Sequence, residues 1–158
     1  MNLMNQKWST MVSLKDINPD SYHQVAGLRI TEEQSEFVPP AVNIMARAYA
    51  WRNKNSSAYA IYSDDTIIGI VMICDDIDCY ELHQFLIDSS YQKKGYGKQA
   101  VRLIIDRLSH EHKYDCIKLS VIKKNEAAIH LYKSMGFIDA KYTDPKKPNS
   151  YILIYNFH

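Results

Sequence analysis

The stretch Gln92-Lys93-Lys94-Gly95-Tyr96-Gly97 decides how this chain is read. Two glycines two apart stand where an apolar, strand-like run (80–87) has ended and an amphipathic run (97–110) begins. At such a junction several backbone N–H groups can point outward together, and a helix N-terminus favours an anion in front of them. Glycine lets the backbone approach a ligand closely, and Lys93, Lys94 and Lys98 add positive charge suited to phosphate. The loop is therefore expected to cradle a pyrophosphate. Two competing nucleotide motifs fail. A dinucleotide fingerprint places a third glycine three residues after Gly97, where this chain has Ala100, and the acidic residue expected after a following parallel strand is missing. A Walker A loop requires Gly-Lys-Ser/Thr, whereas Gly97-Lys98 is followed by Gln99.

Working outward, Ala100, Val101, Ile104, Ile105 and Leu108 recur at three- and four-residue spacing, with Lys98, Arg102 and Asp106 on the other side, so 97–110 is an amphipathic helix packed on a sheet. Residues 116–121 alternate as a strand does. A helix follows over 125–135, closed by Gly136, and two closing strands, 137–143 and 151–157, flank a loop containing Pro145 and Pro148. Upstream, 12–17 reads as a strand, 21–28 as a short helix and 42–52 as a second helix, while 58–62 and 66–74 form a hairpin across Ser63-Asp64-Asp65. The stretch 29–40 carries Glu32, Glu33 and Glu36 before Pro39 and Pro40 and is assigned to neither class. The expectation is one mixed α/β domain over 12–158, with about seven strands and about four helices, after an N-terminal tail (1–11).

Composition agrees with one ordinary core. A chain of 158 residues, 46% hydrophobic and 23% charged, is of the size and make-up that folds alone. A formal net charge of +1 gives no global field toward nucleic acid or an anionic membrane, so neither is expected as a partner. No apolar run approaches the ~18 residues that span a bilayer, and 1–10 has no signal-like apolar core. Cys74, Cys79 and Cys116 are odd in number and lack C-x-x-C spacing, so they are read as reduced thiols of a cytoplasmic protein, with no metal site. His23, His110, His112, His130 and His158 form no ligand pattern either.

The segment Gln92-x-x-Gly95-x-Gly97 resembles the coenzyme A signature of the GCN5-related N-acetyltransferase (GNAT) family, Q/R-x-x-G-x-G/A. Phe85-Leu86-Ile87-Asp88 resembles that family's fourth strand. Asn125-x-Ala127-Ala128-x-x-Leu131-Tyr132-x-x-x-Gly136-Phe137 resembles its second cofactor motif. Together they cover about residues 79–137. Leu28, Thr31-Glu32-Glu33-Gln34, Phe37-Val38 and Tyr80-Glu81-Leu82 further resemble bacterial spermine/spermidine (diamine) N-acetyltransferases. The resemblance implies a mostly antiparallel sheet splayed between strands four and five, and acetyl-CoA as cosubstrate without a metal. It also implies a small amine acceptor, spermine or spermidine for example, and pairing as a homodimer. Cofactor contacts are implied for Phe85, Ile87, Gln92, Lys93, Lys94, Gly95, Tyr96, Gly97, Lys98, Asn125 and Tyr132.

Acetyl transfer to an amine needs a neutral nucleophile, and an alkyl ammonium of pKa ~10 must first lose a proton to a base. By the two-residue strand period Glu81, His83 and Phe85 share one face. Resemblance to histone-modifying relatives puts the base on Glu81, and resemblance to the vertebrate type of polyamine acetyltransferase puts it on His83, so both stay open. A backbone N–H near Ile87 is implied as the oxyanion donor, and Tyr132 as the acid that protonates the departing thiolate. Glu32, Glu33 and Glu36 lie in the segment that covers the acceptor groove in such enzymes, where spaced carboxylates suit a polycation. Two other functions stay open: acetylation of another amine (an antibiotic, an amino acid or a protein N-terminus), and a catalytically inactive coenzyme A-binding regulator.

Overall fold

The computed structural model describes residues 11–158; the tail read over 1–11 lies, but for Met11, outside the described residues. The elements are β1 (Val12–Asp16), α1 (Tyr22–Ala26), α2 (Ala41–Ala50), β2 (Ser57–Ser63), β3 (Thr66–Asp76), β4 (Cys79–Ile87), α3 (Tyr96–Glu111), β5 (Cys116–Ile122), α4 (Glu126–Ser134), β6 (Ile138–Asp139) and β7 (Ser150–Asn156). Single 3₁₀ turns lie at Glu33–Glu36, Arg52–Lys54 and Ser89–Tyr91. Seven strands form one sheet in the order β1-β2-β3-β4-β5-β7-β6. Each neighbouring pair is antiparallel except β4 and β5.

The apolar pattern explains the layering. β3 is buried from Ile67 to Cys74 because helices cover both faces of the sheet there. Ile67, Ile70 and Met72 pack with Val25 of α1 and Ala41, Ile44 and Ala48 of α2. Ile68, Val71 and Ile73 pack with α3, whose buried residues are the five expected from its periodicity.

Gly69 of β3 pairs with Ile87 of β4 at a point that leaves no room for a side chain. A Cβ there would lie 2.3 Å from the Leu86 carbonyl oxygen and 3.0 Å from Ile87 Cδ1, and the first of these is backbone that cannot rotate away. Gly69→Ala is therefore expected to force the strands apart and cost about 3 kcal/mol, a fall in Tm of roughly 6–12 °C in thermal unfolding. An unchanged Tm would refute this close approach.

Two expectations need correction. The strand expected over 137–143 is reduced to Ile138–Asp139, because Lys141 takes a left-handed φ of 54° and the chain leaves the sheet edge after the Ala140 N–H to Ile152 carbonyl bond. The cysteines are also not all reduced. Cys79 and Cys116 form a disulfide with Cα atoms 5.1 Å apart, and only Cys74 is a free, buried thiol. The two partners begin adjacent parallel strands, a proximity that a sequence separation of 37 conceals. Closing such a loop stabilises by roughly 3–4 kcal/mol on a chain-entropy account.

Candidate active site

β4 and β5 are paired only at Tyr80 with Ile117 and Glu81 with Lys118, although β4 continues to Ile87 and β5 to Ile122. Beyond that short ladder the strands diverge. The wedge between them is a cleft of about 500 Å³, walled by β4 and β5, by α4, and by Phe37, Arg47 and Trp51 from the α2 side.

The glycine loop adjoins this cleft at Gly97, where a Cβ would lie 3.5 Å from Cδ2 of the cleft-lining Leu131. Lys93 (φ 60°) and Gly95 (φ 86°) both take left-handed backbone, which turns successive N–H groups toward one side just ahead of α3. A non-glycine residue in that conformation is uncommon and marks a backbone shaped for a purpose. Around a Cβ built on Gly95 nothing lies within 4 Å, so the loop faces open space that a ligand can fill. Lys93, Lys94 and Lys98 are exposed around it. The Gln92 side chain turns inward: its amide donates to the Ile87 carbonyl (2.8 Å) and exchanges two 2.8 Å hydrogen bonds with the Gln34 amide. What Gln92 offers an anion is therefore main chain.

On β4 the alternation breaks. The register with β3 moves from Ile73 opposite Leu82 to Met72 opposite Gln84, leaving His83 as the extra residue of a β-bulge. Leu82, Phe85 and Ile87 consequently pack on one cluster, so Phe85 does not share a face with Glu81 as the unbroken period implied. Glu81 instead faces Cys74 across the strand pair. His83 Nδ1 lies 3.2 Å from Glu81 Oε1, and the two side chains are 7% and 18% exposed. Trp51 packs on the His83 ring at 4.5 Å. Burial raises the Glu81 pKa, but hydrogen bonding and charge from His83, then Lys147 and the Cys74 thiol, outweigh it and hold the carboxyl below the usual carboxylate range. Burial, then the Glu81 charge, pushes the Cys74 thiol up to about 12.

The profile of the acetyltransferase (GNAT) family matches residues 20–137. The chain belongs to this family. Over 56 residues it is 41% identical to the spermine/spermidine N(1)-acetyltransferase of Bacillus subtilis (strain 168), a stretch that is 35% of this chain and 37% of that relative. Over 55 residues it is 40% identical to N-alpha-acetyltransferase 30 of Saccharomyces cerevisiae, or 35% and 31% of the two chains. The matches thus span about a third of these relatives' length. The crystal structure of spermidine N-acetyltransferase from Vibrio cholerae in complex with CoA and spermine is similar in fold, with a TM-score of 0.70 at 15% identity, covering 92% of this chain and 95% of that one.

In this GNAT chain Tyr132 of α4 lies across the cleft from His83. Its ring meets Phe85 and Phe137 edge-on at 6.5 and 5.5 Å. It is 7% exposed, and burial alone raises its pKa above the ordinary phenol value. Asn125 caps α4, accepting the Ala128 N–H at 3.3 Å, and lines the same cleft. Ile87 is buried opposite Gly69, with its carbonyl taken by Gln92. Glu32, Glu33 and Glu36 are exposed and do not line the cleft; Phe37 and Val38 from the same segment do. Sequence reasoning missed Gln34, Arg47, Trp51, Cys74 and Lys147. Of these only Arg47 and Trp51, one helical turn apart, carried a local signal. Among the described residues no helix is long and apolar enough to cross a membrane.

Proposed function

We propose that the chain transfers an acetyl group from acetyl-CoA to a primary amine by direct attack, and that the amine is a polyamine such as spermidine or spermine. The observation that carries the transfer reading is the wedge that is lined both by a base-type pair, Glu81 and His83, and by a buried phenol, Tyr132, with the glycine loop adjoining it at Leu131. Acetyl-CoA, when bound, supplies the acetyl thioester. The loop from Gln92 to Lys98 would hold its pyrophosphate through backbone N–H groups and the three lysines. His83, oriented by Glu81, takes the proton of the attacking amine, directly or through one water. As the carbon–sulfur bond breaks, the Tyr132 hydroxyl gives its proton to the sulfur and regains one from solvent. Use of acetyl-CoA fits a cytoplasmic site of action.

The polyamine acceptor is supported by the partial match to the Bacillus subtilis enzyme and by the acidic, exposed turn beside the cleft. A second reading has an observation of its own. Arg47 and Lys147 line the cleft, and like charge opposes a polycation there, whereas an amine that also carries a carboxylate, as an amino acid or an acidic peptide N-terminus does, would be drawn in. Release of coenzyme A thiol from acetyl-CoA, measured with spermidine, hexylamine and an acidic dipeptide, separates the readings. The polyamine reading expects kcat/KM for spermidine at least about tenfold above that for hexylamine. Equal values would remove it, preference for the dipeptide would establish the second reading, and no release with any amine would leave a coenzyme A-binding regulator.

A further inference from the structure

The base-type pair has a third neighbour that acetyl transfer does not use. Cys74 stands directly opposite Glu81 on β3, and its Sγ donates to Glu81 Oε2 at 3.6 Å, while Glu81 Oε1 meets His83 Nδ1 at 3.2 Å. One sulfur, one carboxylate oxygen and one imidazole nitrogen thus lie within 4.8 Å of one another. Zinc bound by such ligands has Zn–S near 2.3 Å and Zn–N and Zn–O near 2.0–2.2 Å, which at tetrahedral angles separates the ligand atoms by about 3.3–3.6 Å. Two of the contacts, at 3.6 and 3.2 Å, have that spacing, and closing the rest asks for a contraction of about 1 Å by side-chain rotation. The cluster comes from three rigid features: the cross-strand register, the bulge that carries His83, and the Trp51 ring packed on the imidazole.

We propose that Cys74, Glu81 and His83 form a site for a thiophilic divalent cation, zinc above all, whose occupation blocks the transferase. A thiolate and a carboxylate carry two negative charges against the two positive ones of zinc, and the mixed sulfur, nitrogen and oxygen set suits zinc over magnesium or calcium. On binding, the Cys74 thiol loses its proton to solvent and the hydrogen bond from Cys74 to Glu81 is replaced by coordination. Glu81 and His83 line the cleft, which gives an ion a way in from solvent. Lys147 lines that cleft too and, with Lys54 near Cys74, opposes a cation, so affinity depends on direct coordination and not on the local field. With the metal on Nδ1, the neutral imidazole carries its proton on Nε2 and can no longer accept one from the amine there, while the Glu81 carboxylate is held by the metal. The blocking role rests on the function proposed above; the binding does not.

Cobalt(II) chloride added to the pure protein without coenzyme A, whose own thiol would compete, tests the site. Because Cys79 and Cys116 are joined, a thiolate-to-cobalt charge-transfer band in the near ultraviolet reports Cys74 alone. The band is expected in the wild type, displaced by zinc, and absent in Cys74→Ala and Cys74→Ser. Initial rates at saturating zinc should fall at least about tenfold and recover with EDTA, and the zinc concentration for half inhibition should rise at least about tenfold in both variants, each measured against its own metal-free rate. Absence of the band in the wild type would overturn the site. A band with undiminished turnover at saturating zinc would overturn the blocking role, and with it the assignment of Glu81 and His83 as the base.

Discussion

Tyr132→Phe is expected to lower kcat by about 10²- to 10⁴-fold while the KM for acetyl-CoA and the Tm stay close to wild type. Phenylalanine keeps the ring contacts with Phe85 and Phe137 and removes only the hydroxyl. In the folded protein burial alone moves the phenol's pKa, and it moves it upward, so the group stays protonated throughout the neutral range. A coenzyme A thiolate, of conjugate pKa ~8.5, can take a proton from a phenol across a short hydrogen bond even though the phenol is the weaker acid, because that proton is replaced from solvent. The rate should be measured in single turnover, where chemistry and not product release is observed. Wild-type kcat in a folded Tyr132→Phe enzyme would remove the tyrosine from the reaction and leave it a packing residue of α4.

The second large effect is expected at the opposite wall. His83→Ala should reduce kcat by about 10²- to 10⁴-fold, and Glu81→Gln by a smaller factor, with little change in acetyl-CoA binding for either. The order follows from geometry and electrostatics. Glu81 is held below the usual carboxylate range by its neighbours, which makes it a poorer proton acceptor, while histidine is the side-chain type that changes charge nearest neutral pH. Glu81 then serves by fixing the ring nitrogen 3.2 Å away. The double variant should be little worse than His83→Ala, since the two act as a unit. If Glu81→Gln proves the more damaging single change and His83→Ala is mild, the carboxylate is the base and the imidazole its support.

What the sequence disclosed, and what it withheld, follows a physical division. Periodicity disclosed α3 down to its five buried residues, and glycines at a strand–helix junction disclosed the tight left-handed turn ahead of it, because both are local properties of the chain. The bulge at His83 showed only as a three-residue step from Leu82 to Phe85 in the alternation Tyr80, Leu82, Phe85, Ile87, a signal that an unbroken two-residue period passes over. Cys79 and Cys116 looked unrelated because their meeting depends on two strands lying parallel, a tertiary fact. Lys147 reaches the site from a loop segment with no signature of its own. The three glutamates of 32–36 were placed near the acceptor by resemblance alone, and they stand exposed at the 3₁₀ turn of Glu33–Glu36, beside the cleft-lining Phe37 and Val38.

The bridge between Cys79 and Cys116 sits at the closed end of the wedge, just before the two ladder pairs that hold β4 to β5. It works as the rivet of a pair of compasses. The rivet fixes where the legs meet, and the span at their tips is set by the legs themselves, from Leu82 and Leu119 onward. Substitutions along those legs can retune which acceptors enter without disturbing the joint, so breadth of substrate choice and firmness of the scaffold are assigned to different residues of the same two strands.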